Sequence, residues 1–147
     1  MYKFSKLSLE RLSTCHSDLQ RLMNSVMLDQ VMDFSILCGF RNKDDQDAAV
    51  ARGNSELCWP HGRHNHKPSL AVDVAAFPIT NFDTDNTIRT KRLARSILKK
   101  ARHLQIPVFW GGHWSHLNDI YHFQLPDHYN LKRKCANSGK GLKLPLY

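Results

Sequence analysis

Two stretches hold residue types that could do chemistry together: GRHNHKPSLAVD, from Gly62 to Asp73, and WGGHWSHLNDIYHFQL, from Trp110 to Leu125. Between them they offer imidazoles and carboxylates at spacings that suit an open zinc site. Such a site takes three protein ligands, leaves its fourth position to water, and lowers that water's pKa to about 7. The candidate ligands are His66, Asp73 and His122. Asp73 follows His66 by seven positions, and Pro68-Ser69 between them favour a turn before the strand-like run LAVDVA, so a loop and the strand it feeds could converge. Asp119 stands three residues before His122 with no helical pattern around it. A carboxylate held beside a ligand, and not itself bound, can take a proton from the water. The plainer use of Asp119 is as a turn former after Asn118.

These residues resemble the zinc peptidases of the D-alanyl-D-alanine carboxypeptidase and L-alanyl-D-glutamate endopeptidase family, many of them phage endolysins. The matching pieces are His66, Ser69, Ala71-Val72-Asp73, Trp110-Gly111-Gly112, Trp114, and Asp119-Ile120-Tyr121-His122. His64 stands where the family has Ser and His113 where it often has Asp, and both would sit behind the ligands or on the substrate side. Upstream, Gly39-Phe40-Arg41 and Gln46 match a Gly-x-Arg turn and a following Gln, so the resemblance runs from about Ser8 to Pro126. It implies that Arg41 and Gln46 bind substrate, the guanidinium fork holding a carboxylate or carbonyl. An ion pair of Arg41 with Asp44 or Asp45, and an exposed helix position for Gln46, are the plainer readings.

The elements that must position these groups can be read from periodicity. Leu9, Leu12, Leu19, Leu22, Met23 and Val26 recur at helical spacing between Ser8 and Leu28, with Ser17-x-x-Gln20 as a capping box that restarts a helix after Cys15-His16. Phe34, Ile36 and Cys38 alternate with Ser35 and Leu37 in a strand ending at Gly39, which leaves Arg41 just past its end. Asp44 to Arg52 is a short helix stopped by Gly53, and a loop from Asn54 to Pro68 leads into a strand from Leu70 to Ala76. Phe77 to Asn86 is polar and turn-like. From Thr87 to Leu104, Leu93, Ala94, Ile97, Leu98, Ala101 and Leu104 trace one face of a strongly basic helix. Strands follow at Pro107 to Trp110 and Tyr121 to Leu125, and Trp110 suits the core better than a substrate groove. The resemblance implies an α+β fold in which a small antiparallel sheet carries the zinc and helices cover it, of the D-Ala-D-Ala carboxypeptidase and hedgehog type.

With 147 residues and 41% hydrophobic content, the chain is long enough for one buried core. The catalytic domain is placed at residues 1–126, and Asp127 to Tyr147, rich in Lys and turn formers, as a tail packed on it. Four scattered cysteines form no C-x-x-C pair, which excludes a zinc ribbon or a thioredoxin-like motif and favours reduced thiols. Nothing resembles a signal peptide or a membrane span. A formal charge of +8 suits polyanionic surroundings, and the basic helix reads as a solvated face more readily than as a nucleic-acid reader, because it lacks interleaved aromatics.

These readings converge on an expectation implied by the resemblance: a monomeric zinc (Zn2+) peptidase that hydrolyses an L-alanyl-D-glutamate bond in the peptidoglycan stem peptide. It would be made in the host cytoplasm and admitted to the wall by a separate pore-forming protein for lysis. Two alternatives stay open, a D-alanyl-D-alanine carboxypeptidase or dipeptidase on the same scaffold, and a non-catalytic basic module that binds the wall or nucleic acid.

Overall fold

In the run AVDVAA all but Asp73 are apolar, so a strand built from it can be covered on both faces and belongs in the interior of a sheet. The computed structural model, which describes residues 1–80 and 84–126, places it there. Its elements are α1 (Lys6–Ser13), α2 (Ser17–Leu28), β1 (Phe34–Cys38), α3 (Lys43–Ala51), β2 (Ala71–Ala76), α4 (Thr84–His103), β3 (Phe109–Trp110) and β4 (His122–Gln124). The four strands form one antiparallel sheet in the order β1-β2-β4-β3. The α+β class and the small antiparallel sheet are as expected. The tail from Asp127 onward lies outside the described residues.

One face of the sheet makes the core. Val72 and Val74 of β2, Phe34 and Ile36 of β1 and Phe123 of β4 are buried with Leu19, Leu22 and Met23 of α2 and Leu93, Ile97 and Ala101 of α4. α4 lies against β2 and α2 lies against α4. Because side chains alternate along a strand, Asp73 faces away from this layer. The core therefore holds the strand, and the other face is free for chemistry.

Several boundaries differ from the sequence reading, each for a local reason. The cap of α2 is His16, whose Nδ1 accepts the Asp18 N–H at 3.1 Å, and not Ser17. The break before it is fixed from outside, since the His16 N–H donates to the Ser69 carbonyl and the Ser69 N–H to that of Thr14. In α1 the inward residues are Ser8 and Leu12, while Leu9 is exposed; the Ser8 hydroxyl accepts the Ile36 N–H at 3.2 Å and ties the helix to β1. α4 starts at Thr84, ahead of its apolar stripe. Its first turns are buried through polar residues: Thr90 Oγ1 accepts from the Ala76 N–H, and the Tyr121 hydroxyl reaches Asn86 Oδ1. A hydrophobic pattern cannot register an anchor of that kind. Gly53, with φ 73°, ends the third helix as expected.

Leu22 has no exposed surface and packs in the layer between α2 and the rest of the core. Leu22→Ala is expected to cost about 2–5 kcal/mol of unfolding free energy, read from a urea or guanidinium transition.

Candidate active site

Asp73 is the middle of a row across the sheet. It pairs with Cys38 of β1 on one side and with His122 of β4 on the other. A third group arrives from the loop before β2, where a 3₁₀ turn over Arg63–Asn65 turns the His64 ring inward until 4% of that residue is exposed. Asp73 Oδ1 lies 3.1 Å from His64 Nε2 and 3.0 Å from His122 Nδ1, and the two ring nitrogens are 3.2 Å apart.

The imidazole that joins Asp73 and His122 is thus His64, where the sequence reading placed His66. The loop geometry explains the difference. The Leu70 N–H donates to the Arg63 carbonyl at 3.1 Å, which closes the loop into a neck beside the strand. His64 stands at that neck. His66 lies two residues further out, half-buried, and does not line the cleft.

The far side of each ring defines its tautomer. His64 Nδ1 is 2.7 Å from the Gly39 carbonyl, an acceptor only, so Nδ1 carries a proton. His122 Nε2 is 2.9 Å from Gln124 Oε1 and carries one likewise. In the neutral rings, His64 Nε2 and His122 Nδ1 then present lone pairs toward each other and toward a carboxylate. Three acceptors within 3.2 Å call for a positive charge among them. A proton is one answer: burial would lower the His64 pKa, but the adjoining Asp73 carboxylate more than reverses this and lifts it to about 10. A metal cation is the other. Two imidazoles and a carboxylate oxygen, each oriented by a hydrogen bond behind it, suit zinc.

The remaining groups stand around this point. An Asp119 oxygen lies within 4.8 Å of the donor atoms of Asp73 and His122. Its Oδ1 accepts the Tyr121 N–H at 3.2 Å. Burial and then the Asp73 charge raise its pKa, toward the range useful for proton transfer. For Asp73 itself burial acts upward, but the His64 charge and hydrogen bonds from His122 and His64 hold it well below the usual carboxylate range. Arg41 Nη2 is 3.5 Å from Asp73 Oδ2, so its ion-pair partner is Asp73, neither Asp44 nor Asp45.

Gln46, expected to touch substrate or solvent, is 1% exposed. Its Oε1 accepts from Arg41 Nη1 and from Asn65 Nδ2, both at 3.2 Å, and its amide N–H groups donate to Ser55 Oγ and the Leu57 carbonyl. It fixes Arg41 and the turn that carries His64. Asn65 completes the clamp, since Nδ2 also donates to the Arg41 carbonyl and Oδ1 accepts the Gly62 N–H. Reading the sequence missed Asn65, and nothing in its local pattern marks it.

An open cleft of about 800 Å³ contains these groups, with Arg41, Arg63, Trp114, Asn118 and Tyr121 on its walls. Trp114 stands over His122 with ring centroids 5.2 Å apart. Trp110 is a core residue, stacked on Phe123, its indole N–H bonded to the Ile120 carbonyl. His113 is exposed and packs on the Trp110 ring. Gly39 matters by its absence of a side chain: a Cβ there would run into the Arg11 carbonyl and the Thr14 hydroxyl, displacing the carbonyl that orients His64.

A cleft with two imidazoles, two carboxylates and a guanidinium on an antiparallel sheet is equipment for hydrolysis. The chain belongs to the phage L-alanyl-D-glutamate peptidase family, whose model matches residues 1–127. Its structure is similar to that of the Serratia marcescens L-Ala D-Glu endopeptidase ChiX, with a TM-score of 0.68 and 31% sequence identity over 84% of this chain and 90% of that one. No curated protein matches the sequence.

A carboxyl whose pKa is raised on folding costs stability once it ionises. For Asp119 that cost appears as pH climbs through the interval between the ordinary value of 3.8 and the raised one, and is complete above it. In metal-free protein, Asp119→Asn is therefore expected to be more stable than wild type at neutral pH. The difference should shrink in acid, where the wild-type Asp119 carboxyl is protonated in both the folded and the unfolded state, as thermal melts across pH would record.

Proposed function

We propose that the protein is a zinc-dependent peptidoglycan peptidase that cleaves the L-alanyl-D-glutamate bond of the stem peptide, a monomeric endolysin serving host lysis. The observation that carries the zinc assignment is the meeting of His64 Nε2, Asp73 Oδ1 and His122 Nδ1 within 3.2 Å, with each ring's other nitrogen already engaged. The family and the likeness to an L-Ala D-Glu endopeptidase support the bond assignment. Among the described residues no helix is long and apolar enough to cross a membrane, and on this reading a separate pore-forming protein admits the enzyme to the wall.

His64, Asp73 and His122 would hold the metal, which when bound supplies Lewis-acid polarisation and acidifies water to a pKa of about 7. The protein's own residues do the rest. Asp119, partly desolvated and with its pKa raised, takes the proton of the attacking water and returns it to the leaving amine. Arg41 is held in the cleft by Gln46 and Asp73 and keeps further N–H donors for the substrate. A glutamate linked through one carboxyl retains the other, and the guanidinium fork suits it. Trp114 supplies an apolar wall beside the reacting centre.

Three outcomes test the assignment. His64→Ala is expected to lose bound zinc by elemental analysis while His66→Ala retains it, and the reverse result would restore His66 as the ligand. Asp119→Ala is expected to keep zinc but lower peptidoglycan hydrolysis by about 10²–10⁴-fold. Mass spectrometry of the wild-type digest should show new D-glutamate amino termini that vanish with chelator. Free D-alanine in their place would identify a carboxypeptidase.

A further inference from the structure

We propose that the Cys38 thiol is an additional ligand for the metal held by His64, Asp73 and His122, and that its coordination closes the site into a latent, four-ligand form. The proposal rests on the metal reading given above.

The backbone supplies the first argument. Ile36 pairs with Val74 on the core side of the sheet, and unbroken alternation would set Leu37 opposite Asp73 and return Cys38 to the core. A bulge between Ile36 and Cys38 instead sets Cys38 opposite Asp73. Bulges oppose two residues to one and re-aim side chains, often beside active sites. Here the outcome is a continuous row of Cys38, Asp73 and His122 across three neighbouring strands.

Side-chain positions supply the second argument. Cys38 Sγ, a His64 ring nitrogen and an Asp73 carboxylate oxygen lie within 4.8 Å of one another. Zinc bonds of about 2.3 Å to sulfur and 2.0 Å to nitrogen or oxygen allow two donors on one ion to stand up to about 4.3 Å apart. To reach an ion shared with His122 as well, the half-buried Cys38 side chain would have to turn toward that strand. Its present contacts are weak, 3.5 Å to the Gly39 carbonyl and 3.8 Å from Arg41 Nη2. The other described cysteines are placed differently. Cys15 is buried, its thiol pushed up to about 12, Cys58 is exposed, and among the described residues neither clusters with metal-ligating side chains as Cys38 does.

On ligation the thiol gives its proton to bulk water and the sulfur fills the position that a reacting water needs. Hydrolysis then requires the sulfur to withdraw. Cys38 thus acts as an internal plug.

Cobalt(II)-loaded full-length protein tests this by absorption spectroscopy. A thiolate-to-cobalt charge-transfer band is expected in wild type and in Cys58→Ser and should be lost in Cys38→Ser, which keeps its cobalt d–d bands and turns over peptidoglycan faster than wild type. Wild-type d–d bands without charge transfer, or a charge-transfer band that survives in Cys38→Ser, would overturn the proposal while leaving the three-residue site standing. No cobalt absorption in either protein would remove the metal reading and this inference with it. Should Cys38→Ser fail to fold by circular dichroism, alkylation of wild type decides. Iodoacetamide should modify Cys38 more slowly in zinc-loaded than in chelator-stripped protein, and equal rates reject the plug.

Discussion

An ionised carboxylate on the second strand of a sheet, desolvated by its surroundings, is costly unless positive charge and donors are brought to it. Asp73 is in that position, and much of the molecule can be understood as meeting its demand. His64 comes from the preceding loop, His122 from one neighbouring strand, and Arg41 from just beyond the other. Removing any one of them leaves the carboxylate short of a partner. The same convergence that answers the charge creates a pocket in which two imidazole lone pairs face one oxygen, the arrangement on which the proposed cation site rests.

Behind that cluster stands a layer of polar groups with few alternatives. The Gly39 carbonyl orients His64, Gln124 orients His122, and the amide of Gln46 joins Arg41 to Asn65 and the 3₁₀ turn. Buried networks of this kind are specific because each member left unpaired would be penalised. They connect α3, the end of β1 and the loop before β2, segments with little hydrophobic contact of their own. The apolar layer of α2, α4 and the sheet lies on the opposite face. Stability and chemistry are therefore separated by the thickness of one sheet, which lets the cleft carry desolvated charges that the core would not tolerate.

Much was legible beforehand because it is local. β1 and the helix after it fall where alternation, acids in a first turn and a glycine stop place them, since those signals act within a few residues. Asp73, His122 and Asp119 were likewise marked by type and neighbourhood and Arg41 by the family resemblance, and the structure gathers them into one cleft. Three points were not legible. His64 and His66 differ by two positions in a loop with no period, and bonds between remote residues, Leu70 to the Arg63 carbonyl and Asn65 to Gln46 and Arg41, select between them. Gln46 read as a substrate-binding or exposed helix residue because its partners lie at Arg41, Ser55, Leu57 and Asn65, a set no local pattern unites. Cys38 shares the alternation of Phe34 and Ile36 in the sequence, and the bulge that sets it opposite Asp73 appears only when β1 pairs with β2.

By itself the amino-acid sequence determined the order of the elements and the kinds of donor available, because hydrophobic period and residue chemistry are properties of short stretches, and its family resemblance implied the class of fold. Tertiary structure alone decided which histidine faces Asp73, which side chains support it, and that a thiol joins the row. Those choices depend on strand register and loop closure, set by hydrogen bonds between residues remote in the chain, and a shift of one residue in register exchanges the two faces of a strand.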